Sequence, residues 1–152
     1  MASDAFGTDS LSVQWLSDAE MPLANKFYRA HKFRGKAKRH DPCAVVRDGQ
    51  HTIIACGCLR QLTDSQLLAG VAVAPEWQGR GVARLLLKSM AEKYDTQTFT
   101  FPYRHLVLFY ESLGFIDVAP DGQPSAIADR FHTYQQQGRD IIVMRYRPGT
   151  SS

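Results

Sequence analysis

Two glycines flank an arginine in Gln78-Gly79-Arg80-Gly81-Val82-Ala83-Arg84, just after the apolar run Val71-Ala72-Val73-Ala74. The run reads as a buried strand. Pro75 ends it, because proline cannot donate to a strand ladder. From Val82 onward apolar residues recur at helical spacing. A helix that begins here leaves the amides of its first turn without partners, at the positive end of its dipole. Gly79 and Gly81 lack a Cβ, so an anion can come close to the backbone. The chemistry of such a turn is to hold an anion, for instance a pyrophosphate. Arg80, Arg84 and Lys88 stand four apart and predict a positive stripe running on from it. A dinucleotide-binding turn is the rival reading. It needs a third glycine where this chain has Ala83-Arg84, and a parallel strand where this chain has an antiparallel meander.

Other residues with chemical potential are weaker. The chain has three cysteines, an odd number, which argues against a disulfide framework. Cys56 and Cys58 are two apart and would share one face of a strand. They read as small core side chains, and no cluster at ligand spacing accompanies them, so no metal is expected. No histidine pairs with them as a base, which argues against a nucleophilic role. Lys32, Arg34, Lys36, Lys38, Arg39 and His40 crowd into nine positions. That segment is read as a solvated linker, or as a lid that draws an acidic substrate or cofactor phosphates to the site. Few aromatics interleave with it, which counts against a nucleic-acid surface.

The elements that must position these residues follow from periodicity. The 152 residues carry a net charge of only +3 and predict one domain with a real core. No apolar run is long enough to span a membrane. Met1 to Ser10 has no basic start and no apolar stretch, so a cytoplasmic location is expected. Leu11–Trp15 alternates as a strand. Ser17 and Glu20 form a helix-start pattern ahead of apolar positions Met21, Leu23, Ala24, Phe27 and Tyr28. Cys43–Arg47 and His51–Leu59 are strands around an Asp48-Gly49 hairpin signal. Leu67–Ala74 is the third strand of a meander. A helix is expected over Gly79–Tyr94, a strand over Thr96–Phe101, and a short helix over His105–Leu113 burying Leu106, Phe109 and Leu113. Phe115–Val118, a helix over Ser125–Gln137 and a closing strand over Ile141–Tyr146 complete the chain. The ends, 1–10 and 148–152, are expected to be loose. The fold class is α/β, a mixed and mostly antiparallel central sheet flanked by helices.

Val71 to Ala83 resembles motif A of the GNAT superfamily of N-acetyltransferases, whose Gln/Arg-x-x-Gly-x-Gly/Ala core is met by Gln78, Gly81 and Ala83. Leu108-Phe109-Tyr110-Glu111-Ser112-Leu113-Gly114-Phe115 resembles motif B, in the same order and at family spacing. The resemblance implies acetyl-CoA as cosubstrate, without a metal. It implies that Gly79, Arg80, Gly81, Val82, Ala83 and Arg84, with Gln78, wrap the pyrophosphate. It places the pantetheine arm along Val71, Ala72 and Val73, where an amide polarises the thioester carbonyl. It assigns Tyr110 to protonate the leaving thiolate, a phenol near pKa 10 serving a thiol near 8.5.

The general base departs from the family pattern. Neither Leu67–Gly70 nor Thr96–Phe101 carries Asp or Glu, and Tyr103 stands where an asparagine is common. His105, Glu111, His40 or a water relay remain as proton acceptors. The implied activity is direct transfer of an acetyl group to a primary amine of a small molecule, peptide or protein. A homodimer is left open. The competing readings are a CoA-binding sensor without catalysis, and a nucleic-acid module working through Lys32–His40.

Overall fold

The computed structural model describes residues 10–95 and 97–147. The expectations for the first nine residues, for Thr96 and for 148–152 lie outside them. Seven strands form one sheet in the order β1-β2-β3-β4-β5-β7-β6. They are β1 (Ser12–Trp15), β2 (Cys43–Arg47), β3 (Ile53–Gln61), β4 (Gln66–Val73), β5 (Thr98–Thr100), β6 (Phe115–Asp117) and β7 (Met144–Tyr146). Four helices accompany them: α1 (Met21–Ala30), α2 (Val82–Met90), α3 (Val107–Glu111) and α4 (Ser125–Gln136). The β4–β5 pair is parallel, while β1–β2, β2–β3, β5–β7 and β6–β7 are antiparallel. The expected mixed, mostly antiparallel sheet is what forms.

The chain packs as two compact units. The first runs to Leu59 and resumes over Ala69–Glu92; the second comprises Arg60–Leu68 and the chain from Lys93 onward. In the first, α1 begins as the sequence predicts. The Ser17 amide donates to the Glu20 carboxylate at 2.9 Å, and Pro22 sits in the first turn, where its missing N–H costs nothing. The apolar face of α1 buries Met21, Ala24, Phe27 and Tyr28. On α2, Leu86, Leu87 and Met90 are fully buried, each stabilising the fold by roughly 1.5–3 kcal/mol. Gly57 of β3 makes this packing close, since a Cβ there would stand 3.0 Å from the Met90 sulfur.

The β2–β3 hairpin differs from the expected tight Asp-Gly turn. The Asp48 carboxylate accepts from the Gln50 and Thr52 amides at 2.9 and 3.0 Å. His51, with φ 66°, takes the left-handed position that the signal assigns to glycine. Asp48 thereby organises a longer loop, and β3 starts at Ile53 instead of His51. In the second unit, α3 buries Tyr110. Leu106, expected inside, is 36% exposed, and Phe109 and Leu113 are half-buried. The helix is too short for its period to select one inward face, and Phe115 with Tyr110 fills the core instead. Gly114, at φ 99°, ends the segment as a glycine cap.

Candidate active site

The turn at Gln78–Gly81 is held at both ends by buried side chains. Trp77 closes a 3-10 turn over Pro75–Trp77 and is 3% exposed; Val82, first residue of α2, is 1% exposed. Between these anchors Gln78, Gly79, Arg80 and Gly81 are exposed. Gly79 and Gly81 adopt φ of 78° and 82°, a region that side-chain-bearing residues enter only at a cost. Nothing lies within 4 Å of the Cβ position on either glycine. Their role is therefore conformational: they let the chain turn into the helix, and the space beside them is open. Gly81 is the N-cap of α2 and no side chain caps it. The first rung of the helix is the Leu85 amide to the Gly81 carbonyl, at 3.1 Å. The amides of Val82, Ala83 and Arg84 thus lie ahead of that rung, at the positive end of the helix.

Two side chains brace the turn. Gln78 Nε2 donates to the Val73 carbonyl at 3.0 Å, and Arg80 Nε donates to the Glu76 carbonyl at 3.0 Å. Because α2 begins at Val82, Arg80 belongs to the turn. The predicted helical stripe therefore reduces to Arg84 and Lys88, since left-handed glycines at 79 and 81 cannot continue a right-handed helix.

The strand before the turn carries a feature that periodicity does not show. Pairing of β4 with β5 covers Gln66, Leu67 and Leu68 and stops there. Gly70 follows with φ 65° and breaks the strand's regular course. Further on, the Ala74 amide donates to the Ile54 carbonyl of β3 at 2.8 Å. Strand alternation then directs the amide and carbonyl of Val73 toward the opposite edge. That edge has no strand partner past Leu68 among the described residues. By the same alternation Val71 and Val73 bring backbone donors and acceptors to an open edge, with Ala72 between them turned the other way, and Gln78 already holds one of the acceptors.

Tyr110, in the second unit, is 6% exposed. Its ring packs edge-on against Phe109 and Phe115, with centroids 5.3 and 5.8 Å away. Burial pushes its phenol up to about 12, so it stays protonated at neutral pH. The three candidate proton acceptors are all exposed. His105 stacks on Tyr103 at 6.1 Å, His40 Nδ1 lies 3.5 Å from the Asp18 carboxylate, and Glu111 ends α3 at the surface. A groove of about 570 Å³ in the second unit, lined by Gln61, Thr63, Asp129, Arg130 and Tyr134, involves none of the predicted site residues.

The cysteines form a group that the sequence reading missed. Hairpin register sets Cys43 of β2 opposite Cys58 of β3, with Cys56 two residues away on the same face. The Cys43 sulfur lies 3.4 Å from that of Cys56 and 3.6 Å from that of Cys58. All three sulfurs lie within 4.8 Å of one another, a spacing a thiophilic metal ion accepts. Contacts with Cys56 and Cys58, reinforced by burial, hold the Cys43 thiol far above its ordinary range. Cys43 pulls Cys56 down, but Cys58 and burial outweigh it and push that thiol up to about 12. Neither thiol is an activated nucleophile.

A pH dependence follows from these thiols. An unfolded thiol loses its proton near pH 8.5, whereas the folded protein retains it. Their contribution to stability is complete below that pH and is lost as pH rises toward the folded values. Urea unfolding should give the same midpoint at pH 7 and pH 8, and at pH 10 a stability lower by roughly 2 kcal/mol per retained thiol. A midpoint unchanged up to pH 10 would show that the folded thiols ionise normally.

An uncapped helix start behind a glycine turn, fed by a strand with an open edge, marks the class: a mixed α/β protein with an exposed glycine turn at a strand–helix junction. Residues 39–117 match the acetyltransferase (GNAT) domain family, and the chain belongs to it. Solved structures agree on the fold. N-acetylglutamate synthase from Neisseria gonorrhoeae, complexed with coenzyme A and N-acetyl-glutamate, superposes with a TM-score of 0.63 at 17% identity over 91% of this chain. This chain spans only 35% of that synthase. The ribosomal-protein-S18-alanine N-acetyltransferase from Escherichia coli gives 0.61 at 16% identity, covering 93% of this chain and 98% of its own. Escherichia coli ElaA gives 0.59 at 15% identity, covering 90% and 99%. A search of curated proteins found no match. Among the described residues no helix is long and apolar enough to cross a membrane.

Proposed function

We propose that this protein is an acetyl-CoA-dependent N-acetyltransferase that moves the acetyl group directly to a primary amine. The observation that carries the reading is the Gly79–Gly81 turn, with its left-handed glycines, open space and uncapped helix start. The residues fit the group: Gly79 to Arg84 would hold the pyrophosphate through backbone amides, supported by the helix dipole. Arg84 would add a positive charge. Acetyl-CoA supplies the acyl group as an activated thioester. Val71 to Val73 would line its arm by strand-like pairing, with the Val73 amide directed to the open edge as a donor for a carbonyl oxygen. Tyr110 would keep its proton, as its raised pKa favours, and donate a hydrogen bond to the departing sulfur.

The amine must be neutral to attack, so a proton acceptor is required. No Asp or Glu lies in Leu67–Gly70 or Gln97–Phe101. Water or an exposed side chain such as His40, His105 or Glu111 is left for that step. The two solved relatives named for their acceptors act on an amino acid and on a protein alanine, which keeps both small and macromolecular amines within the reading.

Calorimetric titration with acetyl-CoA, followed by a thiol-release assay over a panel of amines, tests the proposal. Binding in the micromolar range and amine-dependent release are expected. Binding without turnover on any amine would instead establish a CoA-binding sensor.

A further inference from the structure

Cys43, Cys56 and Cys58 have no part in the proposed acetyl transfer, yet the fold gathers them into one cluster inside the first unit. All three are fully buried. Cys43 and Cys58 stand directly opposite each other on the β2–β3 ladder, and Val45, opposite Cys56, continues the same face. The Leu59 amide donates to the Pro42 carbonyl at 2.8 Å. Residues 42 and 59 are therefore a hydrogen-bonded pair, and Cys43 with Cys58 is the closer, non-hydrogen-bonded kind. Tyr28 of α1 meets the cluster from the helix side. Its hydroxyl lies 3.5 Å from the Cys58 sulfur and donates to the Gly70 carbonyl at 2.6 Å. The half-buried Asp41 and Pro42 border the cluster where β2 begins.

Spacing and charge together select the ligand. Bonds of about 2.3 Å to sulfur hold the sulfurs of a tetrahedral or planar centre about 3.8–4.0 Å apart, and those of a pyramidal centre with angles of roughly 95–100° about 3.4–3.5 Å apart. The Cys43 sulfur is 3.4 Å from that of Cys56 and 3.6 Å from that of Cys58. Cys56 and Cys58 are within 4.8 Å, and a small side-chain rotation closes that third edge. The groups that weigh most on Cys43 and Cys56 are the other thiols, burial and, for Cys56, the Tyr28 hydroxyl; no cation is among them. Three thiolates around a univalent ion would bury two uncompensated negative charges here, and around a divalent ion one, each costly without a partner. Around a trivalent ion the charge is zero.

We infer that Cys43, Cys56 and Cys58 form a three-thiol site for a trivalent metalloid, arsenic(III) or antimony(III), held as its neutral pyramidal tris-thiolate. Arsenous acid is itself uncharged and reacts with thiols in their protonated form, the form burial favours. Each As–OH bond gives way to an As–S bond, and each hydroxyl leaves as water with the proton of one thiol. The exchange balances without an oxidant or an external base. The site does not depend on the acetyl-CoA reading.

The test titrates the full chain, its thiols kept reduced with a phosphine, with sodium arsenite. Native mass spectrometry should show one arsenic gained and three hydrogens lost. A ligand of the folded chain stabilises it, so the melting temperature should climb by roughly 5–10 °C at about a hundredfold excess over Kd. Cys43→Ala, Cys56→Ala and Cys58→Ala each leave one arsenic hydroxyl in place and should weaken binding at least about 100-fold. Zinc chloride should leave the melting temperature unchanged, because its complex would carry a buried charge. No mass gain, a variant lacking one cysteine that binds as well as wild type, or stabilisation by zinc equal to that by arsenite overturns the inference. So does a melting temperature that falls with arsenite, since the thiols are then reached only in the unfolded chain. That last reading is taken on the wild type and decides the matter even where a variant fails to fold.

Discussion

Gly81→Glu should lower the affinity for acetyl-CoA by at least about 100-fold. Three effects act together. Residue 81 sits at φ 82°, and moving a side-chain-bearing residue there costs roughly 1–2 kcal/mol. The space above it is open, so the new side chain is accommodated in the very volume a phosphate needs. The carboxylate also sits at the uncapped start of α2, where it satisfies the dipole as an internal anion and repels an external one. Near the surface that repulsion amounts to about 1–4 kcal/mol at contact distance. Gly81→Ala separates the contributions, because it keeps the backbone cost and omits the charge; its loss should stay below about 30-fold. Val82, Leu86 and Met90 hold α2 in the core, so both variants should remain folded. Calorimetry with acetyl-CoA, paired with a thermal melt, reads the outcome. An unchanged affinity for the glutamate variant would remove the pyrophosphate from this turn.

Tyr110→Phe should reduce kcat by roughly 10- to 100-fold, with the KM for acetyl-CoA altered by less than about twofold. The substitution removes one oxygen and leaves the ring, whose edge-on contacts with Phe109 and Phe115 do not involve the hydroxyl. Packing is therefore conserved, and the melting temperature should hold. With its pKa raised to about 12, Tyr110 keeps its proton over the working range of the enzyme. A thiolate forming near it, of ordinary pKa about 8.5, need not compete with a phenolate. Wild-type kcat should accordingly show no loss of an acid group between pH 8 and pH 10. The diagnostic is the split between kcat and KM, since a merely structural tyrosine would move stability instead. A phenylalanine variant that works at full speed would return Tyr110 to a packing role.

Much of this molecule is legible in sequence because it is local. Pro75, the two glycines and the apolar period from Val82 specify strand, turn and helix within a dozen residues. Ser17 and Glu20 mark the approach to α1, and Gly114 and Gly138 end their segments with φ of 99° and 88°. Where two local rules competed, position was harder to read. Asp48-Gly49 signalled the hairpin, but the Asp48 side chain chose the loop and moved the glycine's role to His51. Leu106 and Phe109 had the composition of core residues, but a five-residue helix turned Tyr110 inward.

The glycine turn with its helix start, the family and the element order follow from the sequence by itself, because each rests on residues that are near neighbours in the chain. Tertiary structure alone decided three other things. Hairpin register joined Cys43 to Cys56 and Cys58, which stand 13 and 15 residues away from it in the chain. The end of β4–β5 pairing at Leu68 opened the edge along Val71–Val73. Asn25, Tyr28 and Gly35 settled a charged segment onto Gly70, 42 residues beyond Tyr28. All three depend on which distant backbones meet, and residue types along one strand or loop do not encode that meeting.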